Sequence, residues 1–267
     1  APAGRGRTLT ASPVADFAVQ QGIEVIKTNQ LRDVAHQVSD VDAVVVVAFG
    51  GFVPEDLLEV PRYGWINVHF SLLPHWRGAA PVQHAIIAGD DVTGVTTFRI
   101  DKGLDTGDVL GQITTIIQNG ETSGDLLERL GVEGAHLLVA TLAGLESGAI
   151  VPAPQPTDGV SHAPKISKDD ARINWNQPAL AIERHIRAMT PQPGAWTMVG
   201  DERLKVFPVG LQHVALYLHP GHVQVHGDDV IVGTGSHAIT LGNVQQAGRG
   251  IVSASEWIRN NSDAVLQ

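Results

Sequence analysis

The chain has 267 residues, 43% of them hydrophobic and 17% charged, with no cysteine and a formal net charge of −10. That length suits about two globular domains. The lack of cysteine rules out disulfides and thiolate metal sites and agrees with a reducing, cytoplasmic setting. No run approaches the ~18 to 20 apolar residues of a membrane span, so no membrane partner is expected. No signal peptide is visible. The acidic balance requires any hold on nucleic-acid phosphates to be local, by Lys and Arg gathered on one face.

In chain order, Ser12 and Pro13 are placed to cap and start a helix that Gly22 ends. Residues 23–27 read as a strand and residues 33–38 as a short helix. Residues 43–48 are an unbroken, largely β-branched run, expected to be a strand buried on both faces. It feeds Phe49, Gly50, Gly51 and Phe52, and a strand running into a glycine loop is where a doubly wound sheet places its ligand. Residues 82–88 and 123–145 are predicted helices, and residues 94–100 and 109–117 predicted strands. A proline-rich stretch at 151–156 marks a linker. Beyond it come one helix over 179–189 and short glycine-separated strands at 204–207, 221–225, 229–233 and 238–241, the pattern of a small β-barrel. The expected organisation is an α/β domain over 1–150, a linker over 151–168 and a β-barrel domain over 169–267.

Chemistry concentrates in Ile66-Asn67-Val68-His69-Phe70-Ser71-Leu72-Leu73-Pro74, followed by Arg77-Gly78-Ala79-Ala80-Pro81. Asn67 and His69 leave the same face of a strand because side chains alternate, and the prolines and glycines beyond open a concave loop. An amide donor can hold an oxygen that becomes negative, and an imidazole can move a proton near neutral pH. A plainer reading is that both only satisfy loop backbone groups. A second turn-rich segment, Gly103-Leu104-Asp105-Thr106-Gly107-Asp108, adds a carboxylate.

Together these motifs resemble the signature of the folate-dependent formyltransferases, and over nearly all its length the chain is most similar to the methionyl-tRNA branch of that family. The resemblance implies a doubly wound, Rossmann-like catalytic domain followed by a barrel of the oligonucleotide-binding type that grips tRNA. It implies that Asn67, His69 and Asp105 are the catalytic trio. The implied formyl donor is 10-formyltetrahydrofolate, and the implied acceptor is the α-amino group of methionyl initiator tRNA. A neutral fraction of that amine would attack directly, with Asn67 and a protonated His69 on the oxyanion and Asp105 favouring the imidazolium. Folate contacts are expected from Phe49, Gly50, Gly51 and Phe52, from Ser71, Leu72, Leu73 and Pro74, and from Gly103 and Leu104; no metal is implied.

For tRNA, the resemblance assigns Arg5 and Arg7 in the glycine loop at the chain start. Lys165, Lys168, Arg172, Arg187 and Lys205, with Arg184, Arg203 and Arg249, are further candidates for a basic face. A monomer is expected. One departure stands out: the family's first strand, first helix and second strand should precede Ala1. A sheet without them is expected to expose a central strand's backbone and apolar side chains and to fold and turn over poorly. Phe70 stands where many relatives carry a small residue. The histidines His213, His219, His222 and His226 lack ligand spacing and read as surface-loop residues. Two other functions stay open: formyl transfer to a nucleotide-linked amino sugar, and folate or RNA binding without catalysis.

Overall fold

The computed structural model describes residues 2–3, 8–9, 11–212 and 216–267, so Arg5, Arg7 and His213 lie outside the described residues. Two short strands, β1 (Pro2–Ala3) and β2 (Thr8–Leu9), pair antiparallel. Helix α1 (Pro13–Gln20) begins as its sequence dictates, with the Ser12 hydroxyl accepting from the Ala15 amide and Pro13 in the first turn. It buries no residue. Residues 23–27 form no strand: among the described residues no strand pairs with them, and Ile23 and Ile26 face solvent. Apolar alternation is not enough without a neighbouring strand to accept the backbone hydrogen bonds. A short 3₁₀ turn (Leu31–Val34) leads into α2 (Ala35–Ser39).

The N-terminal domain's main sheet is built from β3 (Val44–Val46), β4 (Trp65–His69), β6 (Val92–Arg99) and β7 (Val109–Ile116), in the order β3-β4-β6-β7. Around these strands lie α3 (Glu55–Leu58), β5 (Arg77–Gly78), α4 (Pro81–Ala88) and α5 (Ser123–Glu146). β3 and β4 run parallel, whereas β4–β6 and β6–β7 are antiparallel. The domain is α/β as expected, with a mixed sheet, because the loop between β6 and β7 is too short for a helical crossover and returns the chain antiparallel. The expectation that residues 43–48 are buried on both faces is corrected. Among the described residues β3 has β4 as its one strand neighbour, and Val45 and Val47 are 40% and 55% exposed. A strand paired along one side retains an unpaired edge.

Helix α5 carries the main packing. It opens with a capping box between Thr122 and Asp125 and lays Leu126 and Leu130 against Val68 of β4, Val82 and Ile86 of α4, and Val95 of β6. The chain then returns along the site: Ala153 exchanges both backbone hydrogen bonds with Val109 at 2.8 and 2.9 Å, and β8 (His162–Ala163) pairs parallel with β5.

The C-terminal region comprises α6 (Ala179–Met189), β9 (Trp196–Val199), β10 (Glu202–Val206), β11 (Gly210–Leu211), β12 (Val223–His226), β13 (Asp229–Val232), β14 (Ile239–Thr240), β15 (Asn243–Gln246), β16 (Val252–Ser253) and α7 (Ala254–Ile258). Its strands form two four-stranded antiparallel sheets, β16-β15-β10-β9 and β11-β14-β13-β12. Leu204 and Val244 from one sheet and Val230 and Ile239 from the other share one buried core with Ile182 and Ile186 of α6. Among the described residues no helix is long and apolar enough to cross a membrane.

Candidate active site

Strand β4 does what its alternation predicts. Its register sets Asn67 opposite Phe98 and His69 opposite Thr96, and both face a cavity of about 440 Å³. The glycine loop Phe49, Gly50, Gly51 and Phe52 lines one wall, and Asp101, Gly103, Leu104 and Asp105 line another. Between them lie Val68, Phe70, Phe98 and Ile100, so the cavity is mostly apolar with a few convergent polar groups, as small-molecule sites are.

His69 is buried, and both ring nitrogens have assigned neighbours. Nε2 lies 2.9 Å from the Trp76 carbonyl oxygen. A carbonyl only accepts, so Nε2 carries the hydrogen and Nδ1 of the neutral ring is bare. Nδ1 faces Asp105 Oδ2 at 3.8 Å, with the two side chains 6% and 14% exposed. The edge of His69 meets Phe98, with ring centroids 6.3 Å apart and planes at 85°. Burial dominates and pulls the His69 pKa below its ordinary 6.5, against the raising effects of Asp105 and the Trp76 carbonyl. Burial thus favours the neutral ring, while the Asp105 carboxylate at 3.8 Å acts in the opposite direction, toward the protonated His69 that the resemblance implies on the oxyanion.

Asp105 is held in place from its backbone outward. Its φ of 53° lies in the left-handed region that side-chain-bearing residues rarely occupy, and Oδ2 accepts the Gly78 amide hydrogen at 2.8 Å. Gly78 can approach because it has no Cβ: one would lie 2.5 Å from the Ala163 carbonyl oxygen. On the same loop, Asp101 Oδ1 accepts from the Gly103 amide and the Thr106 hydroxyl at 2.9 and 2.6 Å. A Cβ on Gly107 would overlap the Arg99 carbonyl oxygen, so this turn closes only with glycine.

Ser71, Leu72, Leu73 and Pro74, expected as folate contacts, do not line this cavity. Their polar groups build the loop: Ser71 Oγ donates to the His75 carbonyl at 2.5 Å, the Leu73 amide donates to Thr96 Oγ1 at 3.1 Å, and Gln112 Nε2 donates to the Leu73 carbonyl at 3.0 Å. This loop presents Trp76, whose indole N–H donates to Asp90 at 2.7 Å and whose ring stacks on His84. Sequence reasoning missed the Trp76 carbonyl as a partner of His69 and missed Gln155, which hydrogen-bonds to the Asp105 loop from the proline-rich segment. Backbone groups have no sequence signal, and a single Gln in a linker has no spacing to mark it.

Among the tRNA candidates, the structure gathers some and withdraws one. Arg203 lies over the Trp196 ring at 3.7 Å and Arg172 at 5.6 Å. Arg203, Lys205 and Arg249 line an open groove with Gln245, Gln246 and Gly248. Lys165 and Lys168 are exposed between β8 and α6. Arg187 is turned inward instead: its guanidinium pairs with the buried Glu183 and donates to the Glu121 carbonyl at 2.9 Å, so it offers no free fork to a phosphate.

Comparison with known proteins agrees with this geometry. The formyl transferase family model matches residues 1–142, and the formyl transferase C-terminal domain model matches residues 165–262. The methionyl-tRNA formyltransferase of Paenarthrobacter aurescens is 50% identical over 97% of this chain and 85% of its own length. That of Mycobacteroides abscessus is 51% identical at the same coverages. Among solved structures, HypX from Aquifex aeolicus in complex with tetrahydrofolic acid superposes over 91% of this chain and 43% of that one, with a TM-score of 0.65 and 17% identity, a likeness of fold alone. Two matched models and relatives half identical along nearly the whole chain place it in one lineage: the chain belongs to the formyl transferase family.

Proposed function

We propose that this chain transfers a formyl group from 10-formyltetrahydrofolate to the α-amino group of methionyl initiator tRNA. The observation that carries the reading is the convergence of Asn67, His69 and Asp105 on one mostly apolar cavity, in a chain half identical to methionyl-tRNA formyltransferases. In the reaction the amine attacks the formyl carbon, the bond from that carbon to the folate nitrogen breaks, and one proton passes from the amine to that nitrogen. Asn67 donates a neutral hydrogen bond to the carbonyl oxygen as it becomes negative. His69 enters neutral, takes the amine proton at Nδ1, directly or through a water, and returns it to the leaving nitrogen. Asp105 stabilises the imidazolium that forms between those two transfers. The glycine loop at 49–52 and the turn at 103–104 are the proposed walls for the folate, in a partly open, mostly apolar cavity of a size suited to a small molecule.

The tRNA face of this proposal is Arg172, Arg203, Lys205 and Arg249 around Trp196, with Lys165 and Lys168 on the approach to β8 and with Arg5 and Arg7. The test is formyl transfer from 10-formyltetrahydrofolate to methionyl-tRNA by the chain and by His69→Ala. Turnover that disappears with the substitution supports the reading. Turnover with a nucleotide-linked amino sugar and none with methionyl-tRNA would replace the acceptor, and folate binding without any turnover would overturn the assignment.

A further inference from the structure

Gln155 lies in the proline-rich segment after α5, outside every catalytic motif, yet all four hydrogen-bonding positions of its side-chain amide are used at the active site. Its Nε2 donates to the Asp105 carbonyl and to the Gly107 carbonyl, both at 2.8 Å. Its Oε1 accepts from Arg77 Nη2 at 2.6 Å and from Arg77 Nε at 3.1 Å. The amide orientation is not interchangeable, since the reverse would set donors against the guanidinium and lone pairs against two carbonyls. The amide therefore ties β5, whose Gly78 amide holds the Asp105 carboxylate, to the backbone of Asp105. These are the two stretches of chain that fix where Oδ2 points.

The segment is itself anchored on both sides of Gln155, by the Ala153–Val109 backbone pair and by the pairing of β8 with β5. Asp105 has a left-handed backbone, φ 53°, which costs less for Asp than for bulkier side chains but is still less favourable than the right-handed regions, so hydrogen bonds to this turn help to hold it there. We propose that Gln155 is a positioning residue for the transfer reaction, acting through Asp105: its amide clamps the Asp105–Gly107 turn against Arg77 so that the carboxylate faces His69. The proposal rests on the reading of Asp105 as the site's working carboxylate.

The test compares formyl transfer by the full chain with that of Gln155→Met, which keeps the side-chain volume and loses every hydrogen bond, and of Gln155→Glu, which keeps the acceptor for Arg77 and loses the two donors. Asp105→Asn and the Asp105→Asn/Gln155→Met double variant complete the cycle. Both Gln155 variants are expected to lower kcat on the order of 10- to 100-fold, the scale of a small misplacement at a reacting centre, while KM for the folate and for the aminoacyl-tRNA stays within about twofold. In the Asp105→Asn background, Gln155→Met is expected to change kcat by less than about twofold, because a residue that acts through Asp105 has nothing left to position. A purely structural role would instead lower the melting temperature and multiply its full penalty onto the Asp105→Asn background. Wild-type kcat in a folded Gln155→Met or Gln155→Glu protein overturns the proposal, as does an undiminished penalty in the double variant. An Asp105→Asn protein with unchanged kcat would sink the reading of Asp105 itself. A large Asp105→Asn loss beside silent Gln155 variants would sink the positioning role alone. Should Gln155→Met fail to fold, Gln155→Glu carries the same comparison.

Discussion

In the proposed reaction, the cavity around His69 and the basic groove of the C-terminal sheet would divide the labour by opposite physical means. At the cavity, His69 and Asp105 are nearly out of water, each is tied by hydrogen bonds to named backbone groups, and a glycine is required wherever chain meets chain. In the groove, Arg203, Lys205 and Arg249 are exposed side chains on one strand and a turn, steadied by little beyond the face of Trp196. Buried chemistry depends on fixed geometry, so one substitution should abolish it. Exposed cations act by summed charge, so substitutions there should subtract in small, salt-sensitive steps.

The sharpest break of that contrast is His69→Ala. Loss of the sole imidazole placed against Asp105 in the cavity is expected to lower kcat by about 10²- to 10⁴-fold, the usual range for a general acid or base. Asn67→Ala is expected to cost about 10²- to 10³-fold, as for a single oxyanion donor. Steady-state kinetics checks both, and a loss below about tenfold for either would remove that residue from the chemistry.

Arg187 sharpens the comparison from the other side, because its charge suggested the groove and its structure is that of the core. Arg187→Met leaves the buried Glu183 without its partner, which should destabilise the fold by about 3 kcal/mol, read by urea unfolding. KM for tRNA should change by less than about twofold. A large KM effect with unchanged stability would return Arg187 to the RNA face.

What the sequence revealed follows the same division. Strand alternation put Asn67 and His69 on one face but left open that they only satisfy loop backbone groups; the grouping of both with Asp105 came from the family resemblance, not from spacing. The exposure of Val45 and Val47 on β3, which among the described residues pairs with β4 alone, was foreseen only through the strands the resemblance expects before Ala1, since a run of valines by itself reads the same whether one neighbour or two will pair with it. Residues 23–27 read as a strand but pair with none among the described residues, and the Ser71 hydroxyl and the Leu73 amide form hydrogen bonds within and beneath the loop. The neutral state of His69 depends on burial that no spacing encodes. Inward and outward arginines also look alike until a neighbouring residue on the same helix supplies Glu183 or a sheet supplies Trp196.

Acidity offers a graded probe of the buried side. Burial lowers the His69 pKa below 6.5, and the working form is the neutral ring, so kcat should stay level through neutral pH and decline only where acid protonates the ring, at a midpoint below 6.5. The decline is about tenfold per pH unit beyond that point. Stability follows the same sign: His69 and His185 both have folded-state values depressed by burial. The unfolded chain therefore binds their protons first, and stability present above pH 6.5 is lost as pH falls below it. A kcat midpoint above about 7 would mean that Asp105 wins after all.

The groove should give the smallest single effects. Arg203→Ala and Arg249→Ala are each expected to raise KM for methionyl-tRNA about three- to tenfold at low salt and to leave kcat within about twofold, because each removes one exposed cation distant from the trio. The decisive readout is the salt dependence. Each phosphate that a variant no longer neutralises should reduce the slope of log KM against log salt by about 0.7 to 0.9, so the double variant should lose nearly twice the slope of either single one. Trp196→Leu separates charge from stacking: it keeps apolar bulk at this buried position and removes the ring under Arg203 and Arg172 without removing a charge, and in a folded protein it should raise KM with a smaller change in slope. If Arg203→Ala, Arg249→Ala and the double variant all keep the slope of the unsubstituted chain, phosphates are not held in this groove, and the basic face would have to be sought around Lys165 and Lys168.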